Sequence, residues 1–157
     1  MRFLLLDKIK EVKLGESLTA VKNLTLSEEY LADHFPGFPV MPGVLMLEAM
    51  TEAAAWLIRL TDNYADSIIS LKEARNVKYN HFVQPGETLE IRVQMVSRGN
   101  GETKFKAEGW LGETQALSAR LVLSHHSIGR DYPSMACKDA EVIEDMKKIY
   151  ALIGPND

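Results

Sequence analysis

The sequence contains a single cysteine, Cys137, among its 157 residues. One thiol cannot form a disulfide within the chain, so a hydrophobic core must hold the fold together, and a chain of this length can bury one. Scarce cysteine also fits a reducing compartment, and we expect the protein to act in the cytoplasm.

Basic residues are neither in excess nor clustered. The chain has 18 Lys and Arg against 22 Asp and Glu, for a net charge of -4. A nucleic-acid binder needs concentrated cations to neutralise phosphates, so we expect no nucleic-acid partner. His125 and His126 have no further ligands at the spacing of a metal site, and there is no glycine-rich phosphate loop. The sequence predicts neither a metal nor another cofactor.

Long uncharged hydrophobic runs are missing as well. The start, MRFLLLDKIK, has four consecutive apolar residues before Asp7, too few for the core of a signal peptide, and we interpret it as part of a strand over 3–13. The stretch 44–60 contains Glu48, Glu52 and Arg59, which favours a buried helix over a membrane helix. We therefore expect no association with a membrane.

Strand-like patterns dominate the rest of the first 125 residues. The segments are 3–13, 18–25, 68–71, 76–82, 89–95, 104–111 and 115–124. Short connections at 14–17, 84–87 and 99–101 contain glycine, which is typical of antiparallel hairpins and turns. One enclosed helix needs a curved sheet around it, so the pattern predicts an α+β domain: an antiparallel meander wrapped around the helix 44–60.

Two further helices are predicted. Ser27 is a candidate cap for a short acidic helix over 28–32. In the tail, apolar residues recur at helical spacing from Val142 to Ile153, with Asp139 as a candidate cap. We expect 126–157 to be an extension with one amphipathic helix that docks on its own chain, not a separate domain.

The segment 33–48, DHFPGFPVMPGVLMLE, combines a histidine, a stiff loop and a carboxylate. Three prolines and two glycines fix the path of the chain after His34, so the loop can hold the imidazole in place. Pro42 suits the first turn of a helix. Unpaired N–H groups near Gly43 at that helix start would stabilise a developing negative oxygen.

Glu48 stands out because an ionised carboxylate in an apolar helix is costly unless it is paired, hydrogen-bonded or protonated. Glu48, Thr51 and Glu52 share one stripe of the helix, at positions i, i+3 and i+4. Glu48 could instead be a structural carboxylate, and His34 an ordinary surface residue. A histidine and a carboxylate near a helix start nevertheless suit proton transfer next to a carbonyl group.

The stretch HFPGFPVMPGVLMLEAM resembles the signature of the 3-hydroxyacyl-acyl-carrier-protein dehydratases of the FabZ and FabA type. The residues in register with that signature are His34, Pro36, Gly37, Pro39, Met41, Pro42, Gly43 and Glu48. Weaker similarity extends over residues 3–124. The resemblance implies a hot-dog fold for residues 1–125, in which an antiparallel sheet wraps one long central helix.

The resemblance also implies roles. His34 would be the base that removes the C2 proton of a 3-hydroxyacyl thioester, Glu48 would protonate the departing C3 hydroxyl, and the amide of Gly43 would hold the thioester carbonyl. The family shares each site between two chains, which implies a homodimer or a trimer of dimers. Glutamate at position 48, where the FabA branch usually has aspartate, indicates the FabZ branch, which dehydrates without isomerising the product.

Two binding surfaces follow from the same resemblance. An apolar acyl tunnel would run between the subunits along the central helix, and its candidate residues are Phe35, Phe38, Val44, Leu45 and Met46, which would otherwise be plain core. The substrate would arrive on an acidic acyl carrier protein. The nearest basic residues along the strands beside the site are Lys72, Arg75, Lys78 and Arg98.

The chain departs from the family pattern at several positions. Glu52 stands where glutamine is usual and Thr51 where alanine is common, and we assign both to the surroundings of the catalytic pair. If Glu48 and Glu52 face one cavity, their repulsion should raise at least one pKa and help to keep Glu48 protonated. Phe38 replaces a commonly polar residue, and the tail after 124 differs from the short ending of typical members.

Three other functions are compatible with these residues. A hot-dog thioesterase would use Glu48 to direct water at the thioester, which leaves His34 without a role. An isomerising dehydratase would move the new double bond. A non-catalytic acyl-binding partner subunit would result if the tail blocked the site. The dehydratase itself would serve fatty acid, related lipid or polyketide biosynthesis.

Overall fold

The computed structural model describes residues 4–156. Within them lie the helices α1 (Tyr30–Asp33), α2 (Gly43–Thr61), α3 (Ile128–Asp131) and α4 (Ala136–Ile153), with a 3-10 turn at Pro133–Met135. The strands are β1 (Lys8–Lys13), β2 (Ser17–Asn23), β3 (Ile68–Tyr79), β4 (Thr88–Gly99), β5 (Glu102–Leu111) and β6 (Thr114–His126). They form one sheet in the order β1-β2-β4-β5-β6-β3, and all neighbouring strands are antiparallel.

The sheet covers α2 because each strand turns one face towards the helix. On β4 the buried residues Leu89, Ile91 and Val93 alternate with exposed Arg92 and Gln94, as the alternation in the sequence predicts. The strands β2 to β6 all contact α2. The prediction of an α+β fold with one central helix inside an antiparallel sheet is confirmed. The predicted meander of consecutive strands holds for β4, β5 and β6, but not for β3, which pairs with β6 instead of lying between β2 and β4.

The central helix is one residue longer at each end than the predicted 44–60. Pro42 precedes its first turn, and the carbonyl of Pro42 accepts hydrogen bonds from the amides of Leu45 (2.9 Å) and Met46 (3.1 Å). The sequence predicted a helix enclosed on all sides, but Val44 is 70% exposed and Glu48 is exposed too. One stripe of the N-terminal half of α2 is therefore open in the single chain.

The strand after α2 is continuous, whereas the sequence predicted two pieces, 68–71 and 76–82. Its pairing with β6 is interrupted by irregularities after Leu71 and after Arg75, and Asn76 has a positive φ of 51°. These bulges break the strand alternation, which is why the pattern looked like two strands. Within residues 4–156, β3 pairs with β6 alone, so its other side is a sheet edge.

The N-terminal strand is shorter than predicted. The pattern indicated a strand from Phe3, which lies outside the described residues, and β1 begins at Lys8. Residues 4–7 instead run beside α2, where Leu5 and Leu6 are buried in the core and the amide of Leu5 bonds to Glu52. Burial of these leucines produced the strand-like pattern.

Both predicted helix caps are wrong. The helix α1 begins at Tyr30, and the hydroxyl of Ser27 bonds to that of Thr25 at 2.6 Å. Asp139 lies inside α4, and its carboxylate accepts hydrogen bonds from the amides of Ile128 (2.7 Å) and Gly129 (2.8 Å). Asp139 thus satisfies amides at the start of α3, a neighbouring helix that the sequence did not predict.

The tail contacts α2 of its own chain. The Tyr150 ring lies 5.8 Å from that of Trp56 on α2, and Ile149 and Ile153 are buried in the core. The side chain of Lys8 donates a hydrogen bond to Asn156 at 2.7 Å. Between residues 4 and 156, no helix is long and apolar enough to cross a membrane.

Candidate active site

His34 follows α1 and stands at the start of the proline loop. Its amide donates to the carbonyl of Tyr30 (3.1 Å), and its ring centroid lies 4.5 Å from that of Phe35. Phe35 adopts a positive φ of 49°, which is uncommon for a bulky residue, and its carbonyl accepts from the amide of Phe38 at 2.7 Å. A tight turn therefore follows the imidazole and fixes its backbone.

Gly43 opens α2 beside this turn. Among residues 4–156, the amides of Gly43 and Val44 have no hydrogen-bond acceptor, as expected for the first turn of a helix. A Cβ on Gly43 would lie 2.9 Å from a ring carbon of Tyr79, so any side chain here would have to displace that ring. Glycine therefore allows the tyrosine to cover the helix start.

His34 and Gly43 line one cavity of about 260 Å³, which we call the His34 cavity. Its lining residues are His34, Phe35, Val40, Met41, Gly43, Met46, Tyr79, Asn80, His81 and Phe82. The structure thus brings together a titratable imidazole and the N-terminal end of α2, where the helix dipole favours negative charge. The sequence predicted these two groups as a base and an oxyanion site, and those roles stay a prediction.

Glu48 lines a different cavity, also of about 260 Å³, which we call the Glu48 cavity. Its lining residues are Leu4, Glu48, Thr51, Glu52, Ala55, Trp56, Arg59, Ile69, Met146 and Ile149. The predicted stripe of Glu48, Thr51 and Glu52 therefore does face one cavity. Among residues 4–156 of a single chain, His34 and Glu48 line these two separate cavities.

The carboxyls of this stripe are harder to ionise than usual. Partial burial raises the pKa of Glu48. Burial raises the pKa of Glu52 to about 7, although the amide of Leu5, which donates to Glu52 at 2.9 Å, favours the charged form. The negative charge of Glu48 raises the pKa of Glu52 further, but less than burial does. Repulsion between the two carboxylates therefore acts in the predicted direction and is the smaller cause.

Thr51 and Arg59 complete the polar side of the Glu48 cavity. The hydroxyl of Thr51 donates to the carbonyl of Leu47 at 3.1 Å, so it is satisfied within its own helix. The guanidinium of Arg59 lies 5.4 Å from the ring centroid of Trp56, and burial lowers the pKa of Arg59. These contacts hold a cation two turns beyond Glu52 on the same helix.

The five predicted tunnel residues do not line one cavity in the single chain. Phe35 and Met46 line the His34 cavity, while Phe38 packs edge-on against Phe82, with 5.7 Å between the ring centroids. Val44 is exposed, and Leu45 is half-buried against the core. Their role in acyl binding stays a prediction.

Several cavity residues were missed in the sequence. Tyr79 and Phe82 belong to a segment predicted only as strand, and Met146 and Ile149 belong to the apolar face of the tail helix. Helical spacing revealed that face but gave no indication of what it covers. Long-range contacts of this kind have no local pattern in the sequence.

The paired histidines near the end of β6 have other contacts. His125 Nδ1 lies 2.8 Å from a carboxylate oxygen of Asp66, and its Nε2 lies 3.3 Å from the hydroxyl of Thr103. His126 Nε2 lies 3.7 Å from a carboxylate oxygen of Asp131. Across residues 4–156, no three His, Cys, Asp or Glu side chains are grouped so as to hold a metal ion.

The chain is similar in sequence to a known family of enzymes. A family model described as a FabA-like domain matches residues 1–120. A 3-hydroxyacyl-[acyl-carrier-protein] dehydratase FabZ of Lactobacillus helveticus is 38% identical over 118 residues, which cover 75% of this chain and 80% of the relative. A FabZ of Thiobacillus denitrificans is 42% identical over 123 residues, which cover 76% and 85%.

A solved structure supports the fold independently of close sequence identity. The dehydratase heterocomplex ApeI:P of Xenorhabdus doucetiae aligns with a TM-score of 0.66 and 18% identity, covering 80% of this chain and 84% of that one. Together with the sheet wrapped around α2, this similarity establishes the hot-dog fold. Because the family model spans most of the chain and curated relatives exceed 30% identity, the chain belongs to the FabA-like family, with relatives named FabZ.

Proposed function

We propose that the protein is a 3-hydroxyacyl-acyl-carrier-protein dehydratase, which converts a 3-hydroxyacyl thioester into the trans-2-enoyl thioester and water. The observation that carries this proposal is the His34 cavity, which is lined by an imidazole and by a helix start whose first amides have no acceptor among residues 4–156. The names of the curated relatives support the same reaction.

The chemistry assigns one task to each group. His34 takes the proton from C2, and the electron pair left behind moves towards the thioester carbonyl. The amide of Gly43 stabilises the negative charge on that oxygen, where the helix dipole adds to the hydrogen bond. Glu48 in its protonated form donates to the C3 hydroxyl, which leaves as water while the C2–C3 double bond forms. The raised pKa of Glu48 favours the protonated form that this step needs.

Both groups reach one substrate if two chains share each site. His34 and Glu48 line separate cavities of the same chain, so we propose that His34 of one chain acts with the Glu48 of a second. The open stripe of α2 and the unpaired edge of β3 offer surfaces for a homodimer. Assembly into a trimer of dimers stays a prediction.

A basic area on the sheet suits docking of the acidic carrier protein. Lys72 and Arg75 of β3 lie beside Lys104, Lys106 and Arg120 along one groove, which Glu73 and Glu102 also line. Lys72 pairs with Glu102, and Arg75 donates to Glu73 at 2.6 Å, so part of this positive charge is neutralised within the groove. Lys106 faces Arg120 across β5 and β6, and Arg120 faces Arg75 across β6 and β3. Like charges directly opposite one another destabilise a sheet, which supports a role in binding.

The two other predicted docking residues differ from each other. Lys78 lines a second groove with Lys106 and Arg120, and we keep it in the docking surface. Arg98 makes two hydrogen bonds of 2.6 Å to the carboxylate of Asp62 at the end of α2. That bidentate pair occupies its guanidinium, and we leave Arg98 out of the docking surface.

The direct test is the reverse reaction, hydration of a short trans-2-enoyl thioester, followed by the loss of enoyl absorbance. We expect activity in the wild type and a loss of roughly a hundredfold or more in His34→Ala and in Glu48→Gln. Lys138→Gln, in an exposed residue of α4, serves as the control and should keep full activity.

The outcomes separate the alternatives. Hydrolysis of the thioester without hydration would replace the proposal by a thioesterase, and a 3-enoyl product would indicate an isomerising enzyme. Binding without turnover, for several chain lengths and for a carrier-bound substrate, would indicate a non-catalytic subunit. The pathway served and the cytoplasmic location stay predictions.

A further inference from the structure

We propose that α4 forms the end wall of the acyl-binding cavity, and that Met146 and Ile149 limit the length of the acyl chain that the enzyme accepts. The inference rests on the proposed function, because it assumes that Glu48 protonates the C3 hydroxyl. It concerns a segment that lies after residue 120, where the match to the family model ends.

The position of Glu48 determines where the acyl chain begins. The C3 hydroxyl must lie within hydrogen-bond reach of the Glu48 carboxyl for the proton to be transferred. C4 is bonded to C3, so the rest of the chain leaves from a point beside this carboxyl. The cavity that adjoins Glu48 is the Glu48 cavity, with a volume of about 260 Å³.

That cavity runs along α2 towards the tail. Its helix residues extend from Glu48 to Arg59, a rise of about 16 Å at 1.5 Å per residue. Ala55 and Trp56 give it an apolar side, against which methylene groups can be buried. Met146 and Ile149 of α4 line the same cavity, and α4 packs on Trp56, about two helical turns away from Glu48, so they lie towards the far end of the cavity.

The wall formed by α4 is fixed rather than mobile. Tyr150 packs on Trp56 with ring centroids 5.8 Å apart, and Lys147 lies 5.5 Å from the ring centroid of Tyr64. Asp139 ties α4 to α3 through the amides of Ile128 and Gly129, and its carboxylate also accepts from Ser67, which immediately precedes β3. A wall held at several points sets a firm limit on what fits beside it.

The two wall residues have a matched control on the same helix. Met146 and Ile149 are three residues apart and face α2, and Ile149 is 9% exposed. Leu152 has a similar size but is 77% exposed. Shortening Leu152 changes the helix without changing the cavity.

The test measures kcat/KM for hydration of trans-2-enoyl thioesters from four to twelve carbons. For the Met146→Ala, Ile149→Ala double variant, we expect the ratio of the longest to the shortest substrate to rise about tenfold or more, because each added methylene in an apolar pocket changes discrimination by about that factor. Leu152→Ala should keep the wild-type profile.

A second variant keeps the inference testable if the double variant unfolds. Met146→Trp narrows the cavity and should lower the same ratio, with Tm measured alongside for every variant. If the wild type is active and the folded variants show the same dependence of kcat/KM on chain length, α4 does not limit the acyl chain. The proposed function would remain intact. A wild type inactive with every substrate would overturn both.

Discussion

The two ends of α2 differ in the exposure of their side chains and in the hydrogen bonding of their polar groups. At the N-terminal end, large apolar side chains such as Phe35 and Phe82 are exposed beside backbone amides that have no acceptor among residues 4–156. At the C-terminal end, Trp56 is 2% exposed and lies under α4, and Asp62 is held by Arg98. The open end keeps the groups that a substrate and a second chain can satisfy. The closed end supplies stability.

The largest difference between the ends should appear in stability. Trp56→Ala removes a buried indole from beneath Tyr150 and should lower the free energy of unfolding by about 3–5 kcal/mol. Phe38→Ala at the open end removes a half-exposed ring and should change it by less than about 0.5 kcal/mol. Urea denaturation of both variants measures these changes. Equal losses would contradict the division between the ends.

The pH dependence of stability should come from the middle of the helix. Burial raises the pKa of Glu52 from 4.5 to about 7, so the folded state binds this proton more tightly than the unfolded chain does. The resulting stabilisation is complete below pH 4.5 and is lost as the pH rises to about 7. It amounts to something on the order of 3 kcal/mol.

Glu52→Gln keeps an oxygen for the amide of Leu5 but cannot ionise. Its free energy of unfolding should therefore change much less between pH 5 and pH 8 than that of the wild type, with the remaining slope in the same direction from Glu48. Denaturation at the two pH values provides the measurement. Parallel pH profiles for variant and wild type would show that Glu52 titrates normally.

The smallest effect on stability is expected for Gly43→Ala, which should instead lower the activity. Gly43→Ala places a methyl group against the half-exposed ring of Tyr79, which can move aside at the cost of the His34 cavity. We expect a loss of about a hundredfold in kcat/KM, since small displacements of a reacting group are that costly. Tm should scarcely change. Adding Tyr79→Ala should restore part of the activity if the clash is the cause, and no recovery would point to the amide itself.

The sequence predicted the elements of the fold correctly where the spacing of apolar residues indicated which side chains are buried. The alternation in 89–95 and 104–111 and the apolar stretch 44–60 gave the sheet and its central helix. Local pattern failed at Asp139, which serves a different helix, and at β3, where two bulges interrupt the alternation. Asp139 contacts residues outside its own helix, and the bulges of β3 arise in its pairing with β6, which is distant in the chain, so neither feature follows from the local pattern.

The candidate site divides in the same way. The spacing of Glu48, Thr51 and Glu52 placed them on one stripe, because helix geometry fixes which residues share a stripe, and in the structure that stripe lines one cavity. The same geometry did not predict that Met146 and Ile149 line this cavity, because they belong to α4 and not to α2. The separation of His34 from Glu48 was implied only by resemblance to a family that shares its sites between chains.

The most direct test of a shared site is complementation between two inactive variants. His34→Ala and Glu48→Gln chains are co-expressed with different affinity tags, and the mixed species is isolated and assayed for hydration. A mixed dimer has one site with both an intact His34 and an intact Glu48, so the account predicts that activity returns to roughly half the wild-type value, as one working site in two requires. A mixed species of His34→Ala with the His34→Ala, Glu48→Gln double variant is the control and should stay inactive. If the first mixture is as inactive as its components, each site lies within one chain, and the central claim is wrong.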